Sequence, residues 1–128
     1  MKKLRVGKAK IVHEDSRGYI ADILNDKLIR HIGIITCRKG SVRGQHYHKS
    51  QKQYTFVVSG KIKVVIRNLK NKKQKNEQFV LGAMDIIAIP AMHYHLIEAL
   101  EDSTILTLST KSRSGNKFED DTFRLKLK

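Results

Sequence analysis

No stretch of twelve residues in this chain carries an apolar stripe at the helical period, which rules out most helical architectures. Residues 20–29 come nearest, but Asn25 and Asp26 interrupt the stripe and leave room for one helical turn at most. The chain offers instead a succession of short β-rich runs, at residues 31–37, 53–59, 61–66, 79–81, 85–90, 95–99 and 104–109. Ser59-Gly60 reads as a tight hairpin turn, because glycine reaches the positive φ such turns demand. Residues 68–77, polar and lysine-rich, read as a solvated hairpin loop, and Glu101-Asp102-Ser103 as an acidic turn. Phe123, Leu125 and Leu127 alternate with Arg124, Lys126 and Lys128, as a closing strand with one wet face does. Short strands with turns every ~8–12 residues predict an all-β sandwich or barrel. No repeat or linker divides residues 1–128, so one domain is expected.

Composition sets further bounds. The 128 residues, 40% of them hydrophobic, suffice for one domain with its own core. No apolar run approaches the ~20 residues that span a bilayer, and the basic start MKKLRVGKAK lacks the apolar segment of a secretory signal. Cys37, a single cysteine, gives neither a disulfide nor a zinc-finger spacing and is expected to pack as a small buried apolar group. The expected compartment is the cytoplasm. Twenty-six Lys+Arg against 12 Asp+Glu give a net charge of +14, a field that attracts polyanions. The lysines are scattered, apart from a cluster at Lys70, Lys72, Lys73 and Lys75. No helix-turn-helix, Cys/His finger or paired-aromatic signature accompanies them, which argues against a nucleic-acid module. The absence of a glycine-rich phosphate loop disfavours ATP chemistry.

Histidines are the informative residues. His46 and His48 are two apart in a segment read as strand, so they project to one face. His93 and His95 repeat that spacing just beyond Pro90, so four of the six histidines fall in two such pairs. Lining one barrel interior, both pairs together would make a compact imidazole cluster.

These residues also carry a resemblance. Gly44, His46, His48, Gln53 and Gly60 resemble the first motif of the cupin superfamily, with glutamine in the glutamate position. Pro90, Met92 and His95 resemble the second, with methionine in the glycine position. Within the superfamily, Asp15-Ser16-Arg17-Gly18 and Arg43-Gly44-x-His46-x-His48-Lys49 look like the enzymes that isomerise or epimerise dTDP-4-keto-6-deoxyhexoses. Ile89-Pro90-Ala91-Met92-His93-Tyr94-His95 and Glu119-Asp120-Asp121-Thr122-Phe123-Arg124 resemble the sugar 3,4-ketoisomerase branch. The resemblance implies a double-stranded β-helix, or jelly-roll barrel, that dimerises and works in surface polysaccharide synthesis.

It also implies a chemistry. A hydrogen on carbon beside a ketone can be removed if the enolate is stabilised. Moving it from C3 to C4 of a 4-keto sugar shifts the ketone, while returning it to the opposite face of one carbon epimerises that carbon. Imidazoles suit both, since their pKa lies near working pH. By resemblance His46 and His48 are the acid–base pair, with His95 supporting them or the substrate, and no cofactor is expected. Resemblance to the 3,5-epimerases leads one to look for an acid tyrosine on the strand after the distal histidine, but residues 104–110 hold none. Tyr47 and Tyr94 alternate away from the histidines. A nucleotide-diphosphate sugar would be met by Arg43, Arg17 and Lys49, arginine binding phosphate oxygens in pairs. Tyr19 reads as core packing, with stacking on a base as the alternative.

Two other readings stand beside this one. Three imidazoles and an amide, from His46, His48, His95 and Gln53, make a set for one divalent transition metal (Zn, Ni, Fe, Cu or Mn), as in a metal-dependent dioxygenase or small-molecule isomerase. A non-catalytic sugar- or RNA-binding cupin is the third. Strand parity also bears on assembly: with Gln53 facing inward, Tyr54, Phe56 and Val58 face outward, an apolar patch expected to be covered in a homodimer.

Overall fold

The protein, a computed structural model that describes residues 3–127, runs through twelve strands and one helical turn. The strands are β1 (Val6–Lys8), β2 (Lys10–Asp15), β3 (Gly18–Asp22), β4 (His31–Cys37), β5 (Val42–Tyr47) and β6 (Gln53–Ser59). They continue as β7 (Lys61–Asn68), β8 (Glu77–Gly82), β9 (Asp85–Ile89), β10 (His93–Ala99), β11 (Ser103–Ser109) and β12 (Phe123–Arg124), with α1 (Lys117–Asp120) before the last.

Ten strands form two five-stranded antiparallel sheets, in the orders β1-β9-β6-β11-β4 and β12-β5-β10-β7-β8. Period-two burial explains why they face each other. Ile62, Val64 and Ile66 of β7 are buried while Lys61, Lys63 and Val65 between them are not. They meet Leu81, Ile97 and Ala99 of their own sheet and Cys37, Val57, Ile87, Ile89 and Ile105 of the other in one core. Cys37 is thus buried, as expected. Each fully buried isoleucine contributes on the order of 1.5–3 kcal/mol.

The outward face of β6 differs from the expectation. Tyr54 and Phe56 do point away from Gln53, Thr55 and Val57, but they are 5% and 3% exposed. A second cluster, Ala9, Ala21, Ile23, Leu24 and Ile29 among its members, covers them from within the same chain. No second copy is needed to bury these two rings; Val58 alone of the three stays exposed. Gly60 is a second correction. Its φ of +92° is as anticipated, and a Cβ there would lie 2.7 Å from Ser103 Cα. Yet β6 and β7 belong to different sheets, so the turn is a crossing between layers and not a hairpin. Residues 20–29 form no helix, and among the described residues the closing strand is reduced to Phe123–Arg124, paired with Tyr47 and His46, Lys128 lying outside them.

Strands β2 and β3 form a separate hairpin whose Ile11, Val12, Tyr19 and Ile20 are exposed. Tyr19 is therefore not core; its hydroxyl reaches Met84 Sδ at 3.7 Å.

Candidate functional site

The site is built by an irregularity in β5. Gly44 (φ +90°) and Gln45 (φ +57°) are both left-handed, and the pairing with β10 runs His95↔His46 but Leu96↔Gly44. Gln45 is the extra residue of a β-bulge. The bulge inverts parity, so that Arg43, opposite the buried Ile97, and His46, opposite the buried His95, line one cavity. A Cβ on Gly44 would come within 2.8 Å of His95 O, so only glycine lets the two backbones approach this closely.

His48 lies one residue beyond β5, in a turn held from the other end of the chain. The Asp121 carboxylate accepts the backbone N–H groups of Lys49 at 2.9 Å, Ser50 at 3.1 Å and Gln51 at 3.1 Å. The Asp121 carbonyl lies 2.9 Å from His48 Nδ1. A carbonyl only accepts, so Nδ1 carries the hydrogen and Nε2 keeps its lone pair. That Nε2 is buried and has no hydrogen-bond partner among the described residues.

His95 enters from β10, 1% exposed. Ring centroids are 4.7 Å apart for His46 and His95, 4.9 Å for His46 and His48, and 5.5 Å for His48 and His95. One nitrogen from each ring lies within 4.8 Å of the others. Burial, and then the neighbouring imidazoles, push His46 down to about 4 and His95 to about 3; burial also lowers His48, against the pull of Asp121. All three are neutral at pH 7, with lone pairs available.

His93 stays out of this cluster. It is the first residue of β10, its Nδ1 lies 3.0 Å from Ala91 O, and it lines a different depression with Asn68 and Glu77. The second pair therefore contributes one imidazole, and the cluster has three members. Met92, in the glycine place of the second motif, adopts φ +61°, the conformation glycine serves elsewhere.

A cavity of about 180 Å³ opens on the cluster, lined by His46, His95, Gln53, Arg43, Thr107 and Ser109 among others. Arg17 is placed elsewhere: on the β2–β3 turn, its Nη2 lies 2.6 Å from Asp15, a pairing that holds the Asp15 carboxyl down at about 2. Lys49 is also not a lining residue; its Nζ sits over the Phe123 ring at 4.4 Å. Tyr47 stacks on Phe123 and Tyr94 is buried, so neither phenol lines the cavity. Among the lining residues not singled out in the sequence are His31, Arg113 and Phe118. The His31-Gly33-Ile35 alternation in β4 was a readable signal for the first; Arg113 and Phe118 come from a segment without periodicity.

Facing antiparallel sheets with three inward imidazoles define a cupin-type barrel. Solved structures agree on the fold. The chain is similar to a dTDP-4-dehydrorhamnose 3,5-epimerase from Sulfolobus tokodaii (TM-score 0.77, 24% identity, 91% of this chain and 73% of that one). It is similar to the QdtA 3,4-ketoisomerase from Thermoanaerobacterium thermosaccharolyticum (0.77, 20%, 97% and 88%). A 3,4-ketoisomerase from Helicobacter canadensis gives a TM-score of 0.78 at 16% identity, over 97% and 92% of the two chains. The protein belongs to the polysaccharide biosynthesis C-terminal domain family, whose model matches residues 13–123. Comparison with curated proteins returns no match.

Proposed function

We propose that the protein isomerises or epimerises a nucleotide-linked 4-keto-6-deoxy sugar for surface polysaccharide synthesis. The observation that carries this reading is the set of three neutral imidazoles within 4.8 Å of one another, of which His46 and His95 line a cavity and His48 stands buried behind them. A neutral imidazole with a free Nε2 is a base; protonated, it is the acid that returns the hydrogen. His46 and His48 are the acid–base pair, and His95 holds their geometry and the substrate. Arg43, which lines the cavity and donates through Nη2 to Thr36 O at 3.0 Å, is the residue we assign to the diphosphate, with Arg113 a second cation on the same wall. The family match and the fold support a sugar-nucleotide substrate, and the QdtA ketoisomerase has been solved with TDP-4-keto-6-deoxyglucose. Without a tyrosine on β11, proton transfer between adjacent carbons by histidine fits this cavity better than double epimerisation. Incubation with dTDP-4-keto-6-deoxyglucose in deuterated water is expected to place deuterium on ring carbons. No exchange with several nucleotide variants of that sugar would overturn the proposal.

A second reading is favoured by the unpartnered Nε2 of His48, pointing among two more imidazoles. Three histidine nitrogens and the Gln53 amide fit a divalent ion, and His46, His48, His95 and Gln53 would hold it. Such an ion supplies Lewis acidity at a carbonyl. Elemental analysis of unchelated protein separates the readings: stoichiometric transition metal abolished by His46→Ala favours this one.

A homodimer belongs to the proposal, through a surface other than Tyr54 and Phe56. Ile32 and Ile34 of β4 are 65% and 68% exposed, and β4 pairs only with β11 among the described residues. The exposed apolar hairpin β2–β3 of a second copy is the complement this edge lacks. Sedimentation velocity is expected to show a dimer that Ile32→Lys with Ile34→Lys dissociates. A monomeric wild-type protein refutes it. No helix among the described residues is long and apolar enough to cross a membrane; a cytoplasmic location, beside a nucleotide-sugar pool, is part of the same proposal.

A further inference from the structure

We propose that His31 is the second proton carrier of the cavity, handling the sugar oxygens while the His46–His48 pair handles the carbons. This rests on the keto-sugar reading above.

The placement is specific. His31 begins β4 in one sheet, whereas His46 and His95 lie on β5 and β10 in the other, and all three line the same cavity. A guest held there has imidazoles on both sides. His31 pairs with Ser109 across β11, and Ser109 and Thr107 line the cavity with it.

Two further observations point to a ligand. His31 Nδ1 is buried yet has no hydrogen-bond partner among the described residues. Buried polar atoms are nearly always paired, so an unpaired one at a cavity wall marks a position where a guest supplies the partner. The ring also packs against the bare backbone of Gly33. A Cβ on Gly33 would stand 3.0 Å from His31 Cε1 and 3.2 Å from Nε2, tighter than ordinary contact.

Its surroundings suit a neutral ring. Burial lowers the His31 pKa, and Arg113 lowers it further. The Arg113 guanidinium lies 4.0 Å over Phe118, and both line the cavity. A neutral imidazole is a well-matched hydrogen donor to an enediolate oxygen.

The step balances. An imidazole of the His46–His48 pair takes the C3 hydrogen as a proton, and the C3–H electron pair becomes the C3=C4 bond. The carbonyl π pair moves to O4, which takes a proton from His31. His31 then accepts the O3 proton, the O3 pair forms C3=O, and the C3=C4 pair takes the proton back at C4 from the imidazolium. Both histidine groups are regenerated without a co-reactant.

The test uses the full chain with dTDP-4-keto-6-deoxyglucose. His31→Gln is expected to lower kcat by about 100-fold or more, with KM within about threefold because the ring binds little of the ground state. Gly33→Ala keeps the histidine but displaces its ring, and is expected to lower kcat in the same direction. In both variants deuterium at C3 of the substrate is expected to slow kcat more than in wild type, since enolisation becomes the slow step; a merely structural loss would not raise that isotope effect. Melting curves and dTDP binding by calorimetry establish that each variant is folded. Wild-type kcat in both variants overturns the assignment of His31 and leaves the keto-sugar reading standing. A wild-type protein that binds dTDP but turns over no keto sugar overturns both.

Discussion

Replacing Asp121 tests whether the far end of the chain holds the site. Asp121 is 8% exposed, and its carboxylate receives three consecutive backbone N–H groups, from Lys49, Ser50 and Gln51, at 2.9–3.1 Å. Three successive N–H groups around one anion form a nest. Hydrogen bonds to a charged acceptor are each worth about 1.5–3 kcal/mol when both partners are shielded. Here Lys49 and Ser50 are exposed residues to which water can return, so the lower figure, or somewhat less, applies. Asp121→Ala is then expected to destabilise the protein by about 3–4 kcal/mol, lowering Tm by about 10–15 °C for a domain of this size. Asp121→Asn, which keeps one acceptor oxygen but loses the charge, should fall between. The same turn carries His48, whose Nδ1 is oriented by the Asp121 carbonyl, so kcat is expected to fall in the order wild type, Asn, Ala. Scanning calorimetry and steady-state rates measure both. An alanine variant melting within about 3 °C of wild type, corresponding to under about 1 kcal/mol, refutes the idea that this carboxylate organises the turn.

The buried histidines set a pH dependence. His46 and His95 are held at about 4 and about 3, below the ordinary 6.5, so below pH 6.5 the unfolded chain binds protons that the folded one refuses. Stability is therefore expected to be full above pH 6.5 and to fall from there toward pH 3; urea unfolding at pH 7.5 and pH 5 checks this, and equal stability contradicts it. Gly44→Ala meets both φ +90° and a carbonyl oxygen 2.8 Å from the new Cβ, and is expected to cost about 2 kcal/mol or more and to abolish turnover by flattening the bulge. Gln53→Glu places a carboxylate beside the imidazoles and is expected to tighten zinc retention in competition with a chromophoric chelator; unchanged retention would mean the side chain does not face a common ion.

Much of this was legible in the sequence, and the gaps have physical causes. β4, β7 and β9–β11 alternate more buried with less buried residues, which is what a period of two records, while β6, buried on both faces over residues 53–57, showed itself as a continuous β-branched and aromatic run. β1 and β2 are exposed at every residue and β3 at its first three, so no alternation marked them. The outward direction of Tyr54 and Phe56 was readable from parity, but what covers them was not, because residues 21–29 have no periodic pattern of their own. Two-residue spacing placed His46 and His48 together, but it carried nothing of the bulge at Gln45 that brings Arg43 to the same cavity as His46; Gly44 was the local sign of it. The same spacing overcounted at His93, since it cannot tell where a strand begins. Asp121 lies in a stretch matched to the ketoisomerase ending, yet its grip on residues 49–51 is a contact across some 70 positions that no local pattern encodes.

The charge distribution completes the picture. A net charge of +14 would repel protons from any imidazole at the surface and attract a diphosphate from solution. Inside, desolvation acts in the same direction on the three clustered histidines. Exterior and interior therefore favour one state of these rings, the uncharged one. Arg43 lines the cavity beside His46 and His95, so on the proposed reading a diphosphate held by Arg43 would bring negative charge near them. That charge raises the proton affinity of His46 and His48 when substrate is present, in the direction that makes them better bases. The pKa governing kcat is accordingly expected to lie above that governing free-enzyme kcat/KM, and pH profiles in which the two coincide would show that diphosphate binds too far from the imidazoles to act on them.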